Sequence, residues 1–214
     1  MASALDAAVR KIFGHESFRP GQREIVRSIM SGRDVFVLVP TGGGKSLCYQ
    51  LPSVLSPGVT VIVCPLLALM QDQIQALTRG PADGNAHADP RLRGVPATFL
   101  SSNAKAGHSA AVFADLARRP QPLTKCLYVT PEQLGHSVRL RDCLQALASQ
   151  NPSLLARVVV DEAHCGGSTA LNPLRPLHLA FLCHNRWIHR SRSLVALVSP
   201  ILCRNCSVGS CLGS

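Results

Sequence analysis

Long apolar segments are absent from this sequence. No run reaches the roughly 18 apolar residues that a membrane-spanning helix needs, and the N-terminus lacks the apolar stretch of a signal peptide. The sequence therefore predicts neither a membrane span nor a signal peptide.

Acidic residues are scarce. The 214 residues include 12 Asp and Glu against 22 Lys and Arg, which gives a net charge of +10. Residues 165–214 contain basic residues and no Asp or Glu. A basic balance favours a polyanionic partner such as nucleic acid, although ordinary surface charge would give the same composition.

Signals for disulfides and bound metals are weak as well. The nine cysteines are an odd number, and Cys48, Cys64 and Cys126 lie in apolar runs, where a free thiol packs as a small hydrophobic group. We expect a reducing compartment rather than a disulfide scaffold. One Cys-x-x-Cys pair, at positions 203 and 206, leaves a metal site in the tail as an alternative, but no zinc is expected.

The most informative stretch is residues 35–46, where an apolar run leads into Pro-Thr-Gly-Gly-Gly-Lys-Ser. A strand, a glycine loop and a helix start form a phosphate-binding loop, because glycines let backbone N–H groups approach a phosphate. The helix N-terminus adds partial positive charge. Lys45 is predicted to bind the β- and γ-phosphates and Ser46 to ligate Mg²⁺. The predicted loop residues for nucleotide binding are Thr41, Gly42, Gly43, Gly44, Lys45 and Ser46.

The loop departs from the usual pattern G-x-x-x-x-G-K-[ST] at Val39, where that pattern has glycine. A glycine turn followed by a chance Gly-Lys-Ser is the alternative reading. A pair of carboxylates further along the chain argues against it.

That pair follows an apolar run at 156–160, in the sequence Asp161-Glu162-Ala163-His164. Hydrolysis of a nucleoside triphosphate needs neutralised phosphate charge and an oriented water. Asp161 is predicted to hold the metal, Glu162 to orient or deprotonate the water, and His164 to link the nucleotide state to the rest of the motor. The alternative is an acidic pair at a helix start.

Apolar runs that alternate with helical patterns define the fold class. Strands are expected at 35–39, 59–64, 97–100, 126–130 and 156–160, and residues 194–198 could form a sixth. This alternation predicts an α/β domain with a mostly parallel sheet and helices on both faces. Ligands of such sheets bind at the carboxyl ends of the strands, where the glycine loop and Asp161 both fall.

Two residues before the glycine loop are candidates for binding the base. The amide of Gln22 can pair with the donor and acceptor edge of adenine, and the planar guanidinium of Arg19 can stack on the base. The alternative for both is a solvated helix start.

These residues together resemble the N-terminal motor lobe of RecQ-type DNA helicases, members of the second helicase superfamily, over roughly residues 5–165. The similar segments are Phe13-Gly14, Phe18 to Gln22, Pro40 to Pro52, Pro65 to Gln73, Tyr128 to Glu132 and Asp161 to Cys165. The resemblance implies a RecA-like P-loop fold, ATP and Mg²⁺ as cofactors, and ATP-dependent 3′–5′ unwinding of DNA. It also implies a nuclear location and a role in DNA repair and recombination.

The resemblance further implies contacts to single-stranded DNA near Pro65 and Thr130. Amides at helix N-termini and small hydroxyls bind phosphates without reading sequence. Ordinary helix capping is the alternative for Ser101, Ser102 and Thr130.

The resemblance stops after Cys165. The family continues with an aromatic-rich loop and a second lobe that carries an arginine finger, neither of which follows here. We therefore expect an ATP-binding lobe at 1–165, a divergent basic tail at 166–214 that is disordered or partly docked, and little or no unwinding by a truncated product. Whether the chain alone hydrolyses ATP is open. The alternatives are a non-catalytic ATP- and DNA-binding module and an RNA helicase of the Asp-Glu-Ala-His class, against which the Phe18 to Gln22 motif and Cys165 argue.

Overall fold

The structure is a computed structural model that describes residues 4–40, 42–79, 94–101, 106–151, 153–161 and 194–198. The helices are α1 (Ala4–Phe13), α2 (Gln22–Met30), α3 (Lys45–Leu55), α4 (Leu67–Arg79), α5 (Ala106–Leu116), α6 (Pro131–His136) and α7 (Val138–Gln150). The strands are β1 (Val35–Leu38), β2 (Val59–Val63), β3 (Ala97–Leu100), β4 (Cys126–Val129), β5 (Leu155–Val160) and β6 (Leu194–Val198).

The six strands form one sheet in the order β1-β6-β5-β2-β4-β3. Every pairing between them is parallel. Since parallel neighbours need crossover connections, the helices between the strands cover the sheet. The expected α/β, RecA-like class is confirmed.

Successive strand residues serve two separate cores, one on each face of the sheet. Val61 and Leu127 pack with residues of α5 and α7 on one face. Their chain neighbours Ile62 and Tyr128 pack with residues of α2, α3 and α4 on the other. Burial on both faces explains why each strand reads as a continuous apolar run.

Two features of the fold differ from the sequence-based expectations or extend them. Helix α7 was not predicted, although Leu140, Leu144 and Leu147 stand at helical spacing and are buried. The suggested strand at 194–198 exists, and it lies between β1 and β5 rather than at an edge. A strand of the sheet therefore comes from beyond residue 165, the residue at which we divided lobe from tail.

Several expectations concern residues outside the described ranges. The surface loop expected at 80–94 lies there except for Gly94, and so does most of the tail at 166–214, with its four cysteines. Within the described ranges, no helix combines the length and the apolar character that crossing a bilayer requires. The cysteines in these ranges are free thiols, and Cys48, Cys64 and Cys126 are buried as expected.

Candidate functional site

The sheet order brings two predicted site segments to the same edge. Strand β1 leads into the glycine loop, and β5 leads into Asp161. One strand, β6, separates them. Two strand spacings place the carboxyl ends of β1 and β5 about 10 Å apart, close enough for one triphosphate and its metal to reach both.

The glycine loop is a tight turn that ends at the first residue of α3. Gly42 and Gly44 both have φ of 79°, in the left-handed region that favours glycine. Gly43 donates its N–H to the carbonyl of Pro40 at 2.9 Å. A Cβ atom on Gly43 would lie 2.3 Å from Cγ1 of Val39. Val39, the residue that departs from the usual pattern, therefore packs so closely against residue 43 that only glycine fits there.

Helix α3 begins with the two residues predicted to bind phosphate and metal. Lys45 is its first residue and is 8% exposed, whereas Ser46 beside it is partly exposed. Gly44 is the N-cap and provides no capping side chain. The first backbone N–H groups of the helix lie at the end of the loop, where they can bind an anion.

The two candidate base-binding residues contact the glycine loop itself. Gln22, which is buried, donates its amide to the carbonyl of Gly44 at 2.9 Å and accepts the backbone N–H of Arg19 at 2.8 Å. The guanidinium of Arg19 donates to the carbonyl of Gly42. The start of α2 is therefore fastened to the loop by two side chains, and Arg19 remains exposed.

Asp161 is 4% exposed at the end of β5. Its backbone N–H donates to the carbonyl of Val63 at 2.9 Å, which extends the β2–β5 pairing by one residue. Its carboxylate oxygen Oδ2 lies 3.3 Å from the hydroxyl of Tyr49 and 3.3 Å from the amide nitrogen of Gln73. A buried carboxylate needs such donors because burial without them is costly.

The donors to Asp161 belong to a larger buried polar network. The Tyr49 hydroxyl lies 2.5 Å from Oε1 of Gln73, and that same oxygen accepts the hydroxyl of Tyr128 at 3.0 Å. Gln50 donates its amide to Tyr128 at 3.2 Å. We call Tyr49, Gln50, Gln73, Tyr128 and Asp161 the polar network. It joins α3, α4, β4 and the end of β5 beneath the glycine loop.

Burial favours the protonated form of the two tyrosines in the polar network. Loss of solvation raises the pKa of Tyr49 well above its ordinary value, and the nearby Tyr128 and Asp161 raise it further. Burial also raises the pKa of Tyr128. Both hydroxyls therefore keep their protons at neutral pH and can donate. A contribution from the neighbouring Ser46 side chain lowers the pKa of Tyr49 in part.

The structure thus brings Lys45, Ser46 and Asp161 to one edge of the sheet, with Gln22 and Arg19 against the loop. Thr41, Glu162 and His164 lie outside the described residues. Sequence reasoning gave no role to Tyr49, Gln73 and Tyr128. For Tyr128 a signal was present, because its hydroxyl stands in the otherwise apolar strand β4, whereas Gln73 stands among other polar residues of α4.

The segments near Pro65 and Thr130 follow β2 and β4, at the same edge of the sheet. Thr130 is the N-cap of α6, and its hydroxyl accepts the N–H of Gln133 at 3.2 Å. Capping therefore accounts for this hydroxyl. Ser101 is buried at the end of β3, and Ser102 lies outside the described residues.

The chemistry of the donors suits a hard divalent cation. Ser46 offers a hydroxyl and Asp161 a carboxylate, and Mg²⁺ takes oxygen ligands, completing its shell with water and substrate phosphates. In the described part of the chain, no three His, Cys, Asp or Glu side chains cluster as metal ligands. A site of this kind would need the phosphates of the nucleotide to be complete.

Comparison with protein families identifies a helicase family model that matches most of the chain. The family model of the DEAD/DEAH box helicases matches residues 19–174, which include the glycine loop and Asp161. Membership of that family implies ATP and a divalent metal ion.

The similar curated proteins are RecQ-like DNA helicases. The chain is 42% identical over 155 residues to RecQ-like DNA helicase BLM of Xenopus laevis, covering 72% of this chain and 10% of that protein. It is 43% identical over 161 residues to ATP-dependent DNA helicase Q-like 4B of Arabidopsis thaliana, covering 75% and 13%. For ATP-dependent DNA helicase Q1 of Rattus norvegicus the identity is 37% over 157 residues, covering 73% and 23%. The match therefore spans a quarter or less of each of these relatives.

Solved helicase structures share the fold at low identity. The DUF1998 helicase MrfA has a TM-score of 0.63 at 17% identity, and the superposition covers 93% of this chain and 30% of MrfA. The helicase domain of Pyrococcus furiosus Hef has a TM-score of 0.51 at 16% identity, covering 85% and 32%. At such identities the likeness supports the fold alone.

Proposed function

This chain belongs to the DEAD/DEAH box helicase family, and from that premise we propose that it is the ATP- and DNA-binding first lobe of a RecQ-type, 3′–5′ DNA helicase. The observation that supports this most is the placement of the glycine loop and Asp161 at strand ends about 10 Å apart, on either side of β6. The RecQ-like relatives at about 40% identity support the choice of DNA over RNA.

ATP is expected to bind with its phosphates on the glycine loop. Backbone N–H groups at the start of α3 and the ammonium group of Lys45 offset the negative charge of the β- and γ-phosphates. Adenine is expected against Arg19 and Gln22. For Gln22 to pair with the base, its amide must share or exchange its bond to the carbonyl of Gly44. Nucleotide binding would therefore change a hydrogen bond that holds the loop.

Ser46 and Asp161 are the residues proposed to hold Mg²⁺ together with the phosphates. When bound, the ion neutralises charge on the β- and γ-phosphates and orients them for in-line attack. The chain's own contribution is to fix the direction of the Asp161 carboxylate through the donors from Tyr49 and Gln73.

The remaining catalytic roles are proposed from the order of residues along the chain. Glu162, next to Asp161, would orient or deprotonate the attacking water. His164 would link the nucleotide state to the other parts of the motor. Thr41 would complete the phosphate loop.

Single-stranded DNA is expected to cross the sheet edge near Pro65 and Thr130. Helix α4 begins there, so its N-terminal N–H groups can bind backbone phosphates without reading the bases. At α6 the contact would come from the Thr130 segment itself, because Pro131 has no N–H and the N–H of Gln133 is bonded to the Thr130 hydroxyl. Nuclear location and a role in repair and recombination rest on the RecQ resemblance alone.

Nucleotide binding by the Lys45→Ala variant is the first test of this proposal. We expect Lys45→Ala to weaken binding of a fluorescent ATP analogue by about 10- to 100-fold, the range of a lost charge-assisted contact to phosphate. Equilibrium fluorescence titration in Mg²⁺ measures the change.

Lys11→Ala is the matched control, since Lys11 is an exposed lysine on α1. We expect it to bind like the wild type. Circular dichroism confirms that both variants are folded. Unchanged affinity in a folded Lys45→Ala protein would contradict the phosphate-loop assignment. A strand-displacement assay with ATP turnover then separates an active helicase from a non-catalytic ATP- and DNA-binding module.

A further inference from the structure

We propose that Gln73 and Tyr49 are positioning residues that orient the Asp161 carboxylate toward the metal, and that Gln73 thereby links the metal site to helix α4. This inference rests on the proposed function, because it needs Asp161 to serve as a metal ligand. It concerns residues on two helices that do not themselves touch the nucleotide in the proposed arrangement.

The geometry at Asp161 is the first argument. Both named donors, the amide of Gln73 and the hydroxyl of Tyr49, approach the same oxygen, Oδ2, at 3.3 Å. The bond from the Gln73 amide to Oδ2 restricts rotation of the carboxylate and so fixes the direction in which it can meet a ligand. Removing a donor that fixes the direction of a metal-binding side chain commonly lowers metal affinity.

The balance of donors and acceptors around Gln73 is the second argument. Its Oε1 accepts from the hydroxyl of Tyr128 and shares the single proton of the Tyr49 hydroxyl with Oδ2 of Asp161, so the amide is held with its NH₂ group directed to Asp161. Gln50 in turn donates to the hydroxyl of Tyr128. Every polar atom in this chain of bonds has a partner that orients it, which is how a buried network acquires a single geometry.

The location of Gln73 is the third argument. It lies in the second turn of α4, a helix that begins two residues after Pro65, and its partner Tyr128 stands two residues before Thr130. Both segments are the proposed DNA contacts. A shift of α4 on binding DNA would therefore move the amide that holds Asp161. By linkage, the metal-bound nucleotide would change the affinity for DNA by the same factor as DNA changes the affinity for the nucleotide.

The test compares ATP-analogue affinity in Mg²⁺ with affinity in EDTA. The ratio of the two is the metal-dependent gain. We expect Gln73→Met, which keeps length and apolar packing but removes the donor, to lower this gain about tenfold, the factor that corresponds to one hydrogen bond to a charged group. Affinity in EDTA should stay within about twofold, because the loop and Lys45 are untouched. A purely structural role for Gln73 would lower both affinities together.

Three further variants sharpen the test. Gln75→Met is the matched control, an exposed glutamine on the same helix, and should behave like the wild type. Tyr49→Phe removes the second donor and should lower the gain in the same way, which also serves if Gln73→Met does not fold. Tyr128→Phe leaves both bonds to Asp161 and should lower the gain less than Gln73→Met does.

The outcomes separate this inference from the proposed function. If the wild type shows no metal-dependent gain, the proposed function fails and the inference fails with it. If the wild type shows the gain and folded Gln73→Met and Tyr49→Phe retain it, the inference alone is overturned.

The link to α4 has its own readout. A single-stranded oligothymidylate should change the affinity for the nucleotide with Mg²⁺ in the wild type and leave it unchanged in Gln73→Met. The absence of a DNA effect in the wild type, or an equal effect in both proteins, would overturn the link.

Discussion

The side chains at the site divide into those with local partners and those with distant ones. Lys45 and Ser46 were predicted because loop, helix start and side chains follow one another within a few residues. The hydrogen bond between Tyr49 and Asp161 joins residues 112 positions apart, and that between Gln73 and Asp161 spans 88 positions. No pattern in one sequence encodes such pairs, so the supporting residues around Asp161 could not be predicted.

Thr130 has the capping role, one of the two readings that its sequence left open. Its hydroxyl accepts the N–H of Gln133 as the N-cap of α6. We expect Thr130→Ala to lower the free energy of unfolding by about 1 kcal/mol, the usual value of an N-cap hydroxyl. Urea denaturation followed by circular dichroism measures it.

Thr130→Ser is the control for this prediction, because serine supplies the same capping hydroxyl. It should lie within about 0.5 kcal/mol of the wild type, the range of substitutions that spare such a feature. Equal urea midpoints for Thr130→Ala and the wild type would show that the cap contributes nothing, and would favour a role for this hydroxyl outside the fold.

At the scale of the elements, most strands and helices could be predicted because their apolar patterns are strong and local. Helix α7 was missed although its buried leucines have helical spacing. Pro131 marks the start of α6, but the chain then starts a second helix at Ser137, whose side chain caps α7. Gly135 stands two residues before this junction, but the six residues of α6 are too few to show a helical period of their own.

Strand β6 is the element whose position could least be predicted. Its five residues, Leu-Val-Ala-Leu-Val, indicate a strand, but parallel pairing joins segments that are distant in sequence. In the described sheet β6 pairs with β1 on one side and with β5 on the other. It therefore holds the two site-bearing strands in one sheet.

This position makes a testable prediction about the division of lobe from tail at residue 165. A chain that ends at residue 165 lacks β6 and leaves β1 without its partner in the described sheet. We expect it to unfold at a lower urea concentration than the full chain and to bind the ATP analogue at least tenfold more weakly, because the glycine loop follows β1. Circular dichroism and fluorescence titration measure the two effects.

A chain that ends at residue 200 retains β6 and is the control. It should match the full chain in both measurements. If the chain ending at residue 165 were as stable as the full chain and bound nucleotide equally, β6 would be dispensable and the lobe would end where the sequence suggested.

In the whole molecule, the proposed function depends on one edge of the sheet. A parallel sheet with both faces buried presents the glycine loop, Asp161 and the starts of α4 and α6 along a single edge. The net charge of +10 agrees with a polyanionic partner. The sequence could predict the edge from the alternation of strands and helices, but not the strand order that places β1 and β5 on either side of β6.

The role of Asp161 as a metal ligand beside the glycine loop is tested most directly by the metal-dependent gain in nucleotide affinity of Asp161→Asn. The amide keeps the shape of the side chain and removes its charge, and Asp72→Asn, an exposed site on α4, is the control. We expect Asp161→Asn to lower the gain at least tenfold, equal to about 1.4 kcal/mol, without a loss of affinity in EDTA, and Asp72→Asn to keep the full gain. A folded Asp161→Asn protein with the full wild-type gain would contradict the assignment of Asp161 as a metal ligand.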